Sequence, residues 1–155
     1  MQAEDDSLEV LGRSECLELL AAASVGRVVF TDRGLPVVLP VTFMLEEDAV
    51  VFRTDAGSRL ATKTNGAVVA FEVDDVEPAL RVGWSVSVHG QATTGPAPAG
   101  LSSRLMPWAP GSRDEIVRIP LTVVTGRRIR PRPGGASRVW LCAPPIDDHQ
   151  TEQPC

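Results

Sequence analysis

Cysteine, histidine and surplus positive charge are all scarce in this chain, and each scarcity removes a class of function. The three cysteines, Cys16, Cys142 and Cys155, are scattered, odd in number and without CxxC spacing. That argues against a disulfide framework or a thiolate zinc site and leaves reduced thiols with no shared role. The two histidines, His89 and His149, fall in a strand-like run and in a polar tail, too far apart in sequence to suggest a metal site. The net charge is −5, whereas duplex-binding domains are usually basic, so no nucleic-acid partner is expected. Aromatic residues make up only 5%, too few for a base-stacking surface. No apolar run is long enough to span a bilayer. Met1 is followed by Gln2-Ala3-Glu4-Asp5-Asp6, the opposite of the positive start of a secretory signal. No membrane partner and a cytoplasmic location are therefore expected. There is no internal repeat.

What remains is an ordinary globular balance. The chain has 155 residues, 43% hydrophobic and 23% charged, enough for one domain with a real core. The acidic first six residues are expected to fray. A helix is expected over 14–23, with Ser14 as N-cap and Glu15 in the positive first turn. β-branched and aromatic runs then predict strands over 25–30, 35–45, 49–54, 67–73, 84–92 and 116–129. Asp32-Arg33-Gly34 and Glu46-Glu47-Asp48 are turn signals. Pro36 and Pro40 imply an edge position or a bulge in the second strand, and Pro120 interrupts the sixth. Short helices are expected over 58–64 and 99–105, a loop over 93–98, and a last strand over 138–142. Short strands joined by tight turns point to a mainly β, antiparallel barrel of six to seven strands. This domain spans 13–143, between a partly disordered segment 1–12 and a disordered tail 144–155.

The segment with the most chemistry runs from Val51 to Lys63. A strand delivers Thr54 at its end, a Gly57-containing turn delivers Ser58 and Arg59, and Lys63 follows one helical turn later. Free N–H groups at a helix start suit a phosphate. Arg grips phosphate oxygens with two N–H groups and Lys adds a point charge. The structural alternative is a strand, a turn and an N-cap serine with solvated cations.

Five pieces in this order and spacing carry a likeness: VGRVVF (25–30), PVVLPVTF (36–43), VVFRTDAGSRLATK (50–63), NGAVVAFEVDD (65–75) and GWSVSVHGQA (83–92). The run from 26 to 90, and more weakly the last strands, resembles the pyridoxamine 5′-phosphate oxidase-like, flavin-binding split-barrel family. The nearest likeness is to its small actinobacterial branch with nitroimidazole-reductase-like proteins. The resemblance implies a split β-barrel homodimer with a flavin at its interface. It implies that Pro40, Val41 and Thr42 flank the flavin ring, and that Thr54, Ser58, Arg59 and Lys63 hold the phosphate. Trp84 and Ser85 would reach the cofactor from the partner subunit. Leu60 departs from the oxidase, which carries a basic residue there. The C-terminal region does not match the oxidase's substrate-binding part, so pyridoxamine phosphate is not the expected substrate.

The implied function is an FMN-dependent oxidoreductase acting on a small organic substrate. The alternatives are a deazaflavin-dependent reductase, a flavin- or haem-binding protein without turnover, and a structural dimer whose site has decayed. Flavins carry the electron transfer themselves, which is consistent with the lack of any nucleophile–base constellation. His89 is either a surface strand histidine or an axial haem ligand. Trp84 either covers a cofactor or packs an interface, Trp108 packs a loop, and Trp140 serves core or interface. Arg127, Arg128, Arg130, Arg132 and Arg138 form either an anion-binding patch or a solvated rim. Glu72, Asp74 and Asp75 read as a strand exit and turn.

Overall fold

A computed structural model of the chain describes residues 8–101, 105, 108 and 110–131. Among these, nine strands and two helices run β1 (Leu8–Leu11), α1 (Arg13–Ala22), β2 (Val25–Asp32), β3 (Leu35–Leu45), β4 (Ala49–Thr54), α2 (Arg59–Thr64), β5 (Val68–Glu77), β6 (Val82–Gln91), β7 (Thr93–Pro96), β8 (Glu115–Pro120) and β9 (Val123–Ile129). The strands form one antiparallel sheet in the order β1-β9-β6-β5-β2-β3-β4-β8-β7. The mainly β, antiparallel split-barrel expectation holds, with more strands than the six to seven anticipated.

The sheet folds back on itself at two corners. At the first, β3 pairs with β2 as far as Thr42 and with β4 only from Phe43 onward. Pro36 and Pro40 therefore lie in the half of β3 that has a partner on one side only, where a missing N–H costs nothing. At the second corner, Leu121 and Thr122 separate β8 from β9. The single strand expected over 116–129 is thus two, because Pro120 has no N–H with which to continue the ladder. The chain turns beside β6 here. A Cβ added at Gly90 would meet the Pro120 carbonyl oxygen at 2.3 Å. Gly90→Ala is therefore expected to cost about 1–3 kcal/mol, measurable as a lowered urea midpoint. An unchanged midpoint would show that this corner is free to move.

Period-2 alternation puts one face of each strand inside. On β2, Gly26, Val28, Phe30 and Asp32 are buried. On β6, Val86, Val88 and Gly90 are buried. Three phenylalanines meet at the centre. Phe43 and Phe71 pack edge to face with centroids 4.8 Å apart, and Phe52 stacks on Phe71 at 6.4 Å. β4 is buried on both faces because Leu101 and Ile116 cover Ala49 and Val51 from the other side. α1 closes the core with Cys16 and Leu20. Burial pushes the Cys16 thiol up, and the Glu15 carboxylate adds to this, so it stays protonated at neutral pH.

The other departures have local causes. β1 was not expected. It pairs with β9, and Arg130 clamps it through two hydrogen bonds to Glu9 at 2.8 and 2.7 Å. Those bonds hold the Glu9 carboxyl below its usual range. The N-cap of α1 is Gly12, not Ser14, and Glu15 reaches back to the Gly12 N–H. β5 and β6 extend past the expected ends. Asp74 pairs with Ser85 and Asp75 with Trp84, and Arg27 binds Glu72 at 2.9 Å and Asp74 at 2.8 Å. Glu72 and the two aspartates are strand residues, not an exit. Residues 93–96 are an edge strand rather than loop. Leu101 and Leu105 are both buried, and the Leu105 N–H bonds to the Leu101 carbonyl at 3.0 Å; residues 102–104 of the helix expected over 99–105 lie outside the described residues. The strand expected over 138–142 and the tail, with Trp140, Cys142, His149 and Cys155, lie outside the described residues.

Candidate functional site

β4 ends at Thr54, and Gly57 takes φ +69° to reverse the chain into α2. Ser58 caps α2, accepting the Ala61 N–H at 3.1 Å, and shares a 3.0 Å hydrogen bond with the Thr54 hydroxyl. Thr54 is buried, and through this hydrogen bond it orients the Ser58 hydroxyl. Leu60, Ala61 and Thr64 form the inner face of α2. Leu60 is therefore a core residue, and a basic side chain at that position would face the barrel.

The spacing of Arg59 and Lys63 puts both cations on one side of α2, and both converge on Asp32, the last residue of β2. The Asp32 side chain is only 2% exposed, and its Oδ2 contacts Arg59 Nη2. Lys63 Nζ stands 3.9 Å from Oδ1, and Oδ1 is buried without a hydrogen-bond partner among the described residues. The Arg59 side chain is 71% exposed, so its remaining N–H groups face outward. Sequence reasoning took Asp32 for a turn residue. The turn proper is Arg33-Gly34, both at positive φ, as a two-residue hairpin loop requires.

On the outer surface, Val25, Pro40, Val41 and Thr42 line a cavity of about 360 Å³ together with Arg53, Trp108 and Arg113. Thr42 and Arg53 come together here because Phe43 pairs with Phe52 one step earlier. Arg53 was missed as a site residue; its place at the end of a strand beside Thr54 was the available signal. Its Nε donates to the Arg113 carbonyl at 2.8 Å and its Nη2 to the Ser112 carbonyl at 3.4 Å. No carboxylate pairs with it among the described residues. Arg113, at φ +49°, is anchored by its N–H to Asp55 Oδ1 at 3.1 Å. Trp108 lines this cavity and is exposed, rather than packed under a loop.

Trp84 and Ser85 are neighbours on β6, so their side chains take opposite faces. Ser85 pairs with Asp74 and Arg127 on the outer face, whereas Trp84 packs against the core cluster. Both border a second cavity of about 540 Å³ beside Val76, Gly83 and Ile129. The structure therefore groups Pro40, Val41 and Thr42 in one place, Ser58, Arg59 and Lys63 in another, and Trp84 and Ser85 in a third. The arginine-rich segment is not one basic patch. Arg127 is exposed, while Arg128 pairs with Glu9 and Glu15 and Arg130 with Glu9. Arg132 and Arg138 lie outside the described residues. His89 is exposed on the outer face of β6, and no group of metal-binding side chains occurs among the described residues. No helix among them is long and apolar enough to cross a membrane.

Comparison with known proteins agrees with this architecture. The family model described as pyridoxamine 5′-phosphate oxidase matches residues 12–128. An uncharacterized protein of Mycobacterium tuberculosis is 39% identical over 127 residues, covering 77% of this chain and 84% of that one. The structure of the FAD binding protein from Mycobacterium smegmatis superposes with a TM-score of 0.63 at 31% identity, covering 79% of this chain and 99% of that chain. The FAD and heme binding protein from the same organism shares the fold, with a TM-score of 0.62 at 15% identity over 96% and 95% of the two chains. The chain belongs to the pyridoxamine 5′-phosphate oxidase family of flavin-binding split barrels.

Proposed function

We propose that this protein is a flavin-nucleotide-dependent oxidoreductase that acts on a small organic substrate as a homodimer. The observation that carries the reading is the cavity over Pro40, Val41 and Thr42 at the start of a segment that runs from Arg53 to the Ser58–Arg59–Lys63 cluster. Apolar walls and backbone groups suit a flat ring, and the cations suit its phosphate. FMN is the smallest ligand with both parts. FAD has both as well, and the relative from M. smegmatis at 31% identity is described as FAD-binding. A bound flavin supplies the electron transfer, while the chain binds and orients it and keeps water from the ring.

The outer sheet face supports a second copy as the partner. Leu8, Ile129, Gly83 and Val76 form one cross-strand row, and Val123, His89, Ala70, Val29 and Val38 form another. Between them lies a polar band containing Arg27, Glu72 and Asp74. Two largely apolar bands, the second interrupted by His89, around charged pairs make a surface of the kind homodimers bury. Trp84 and Ser85, which border a cavity separate from that of Pro40–Thr42 in one protomer, would then serve the partner's site.

The test is an absorbance spectrum of the purified protein, titration with FMN, FAD, deazaflavin and haem, and sedimentation at micromolar concentration. Flavin bands or saturable flavin binding near one per chain, on a dimer, is the expected result. A Soret band or deazaflavin preference would change the cofactor. A monomer that binds flavin tightly would overturn the interface, and failure to bind any of them would overturn the reading.

A further inference from the structure

A buried carboxylate has the wrong sign for an anion site, yet Asp32 sits behind both cations of the phosphate cluster. Its side chain is only 2% exposed, and its Oδ1 lacks a hydrogen-bond donor among the described residues. On the other side of the turn, Glu115 Oε2 accepts the Gly57 N–H at 3.3 Å, adding a second carboxylate. Arg59 and Lys63 contribute two positive charges and Asp32 removes one. The two cations with Asp32 alone carry a single net positive charge, and Glu115 beside the turn lowers it further.

Building on the flavin-nucleotide reading, we propose that Asp32 selects the ligand's phosphate class, favouring a phosphodiester over a phosphomonoester. A diester carries one negative charge and is the anion that so weakly positive a cluster best accommodates. A monoester, whose second ionisation lies near pH 6, carries close to two and leaves more of its charge uncompensated. Attraction grows linearly with the cluster's charge, whereas the cost of removing an anion from water grows as the square of the anion's own charge. Arg59 and Lys63 are partly solvated and screened, but Asp32 is buried and is not. The selected cofactors are then those in which the ribityl phosphate is esterified twice, as in a flavin dinucleotide or a deazaflavin phosphodiester. FMN is the disfavoured form.

The probes are riboflavin, FMN, the monomethyl ester of FMN and FAD, titrated by fluorescence quenching into the wild-type protein and Asp32→Asn. The methyl ester separates charge from any contact made by adenine. In the wild type, the methyl ester and FAD are expected to bind more tightly than FMN. Asp32→Asn should shift the FMN-to-methyl-ester affinity ratio toward FMN by about tenfold or more and leave riboflavin unchanged. An unchanged ratio, with flavin still bound, would overturn the role of Asp32 and leave the flavin reading standing; loss of all flavin binding by the wild type would overturn both. Should Asp32→Asn fail to fold, the wild type gives the same answer. Its affinity for FMN, and not for the methyl ester, should rise as the pH falls through 6. The charged groups around the phosphate are Arg59 and Lys63 on α2, Asp32 on β2 and Glu115 on β8. Parallel curves for the two ligands would overturn the proposal.

Discussion

Phe71→Ala is expected to destabilise the protein by about 3–5 kcal/mol, the largest loss from any single truncation in the aromatic core. The Phe71 side chain is fully buried. It meets Phe43 edge to face, stacks on Phe52, and lies so close over Gly26 that a Cβ there would approach its Cζ to 2.3 Å. Its ring thus fills the space between β5, β2 and the β3–β4 corner. The neighbours cannot collapse into the hole, because β2 and β5 are held by backbone pairing at Val28 and Phe71. Set against a typical domain stability of roughly 5–15 kcal/mol, the loss should lower the urea midpoint substantially at an unchanged slope. Phe71→Leu, which keeps most of the apolar volume, should lose less. A loss below about 1 kcal/mol for the alanine variant would mean that the three rings are not the centre of the core.

The same rings show why much of the barrel is legible in the sequence. Buried and exposed positions alternate cleanly along β2 and β6, and Gly34, Gly57 and Gly66 mark turns by taking positive φ. The corners are less legible. Pro120 announces a break, but only the pairing of β8 with β4 and of β9 with β6 shows that the chain changes partner there. β1 is short and half exposed, and its pairing with β9 depends on contacts more than 110 residues away. Asp74 and Asp75 resemble a strand exit because charge usually marks one, yet their partners lie across the hairpin. The cluster Ser58, Arg59 and Lys63 can be read from local spacing. Asp32 cannot, because its burial follows from α2 packing over the end of β2. Nor does a pair such as Trp84 and Ser85 reveal which side chain faces which surface until the register is known.

Arg59→Ala is the second large effect, and it is read in binding rather than stability. Arg59 is exposed and Asp32 is its one ion-pair partner among the described residues, so its removal takes no apolar packing from the core. It does remove an outward-facing guanidinium from the proposed phosphate site and leaves Asp32 buried with only Lys63 nearby. A charge-assisted hydrogen bond contributes about 1.5–3 kcal/mol, so phosphorylated flavins should bind roughly 10- to 150-fold more weakly. Riboflavin, which has no phosphate, should bind as it does to the wild type. Arg59→Lys should restore part of the affinity, since it returns the charge without the planar fork. The comparison between ligands carries the argument. A helix that had merely loosened would weaken riboflavin and the phosphorylated flavins together, whereas a lost phosphate contact separates them. Equal losses for both would move the phosphate away from α2, toward Arg53 and Arg113 at the mouth of the Pro40–Thr42 cavity.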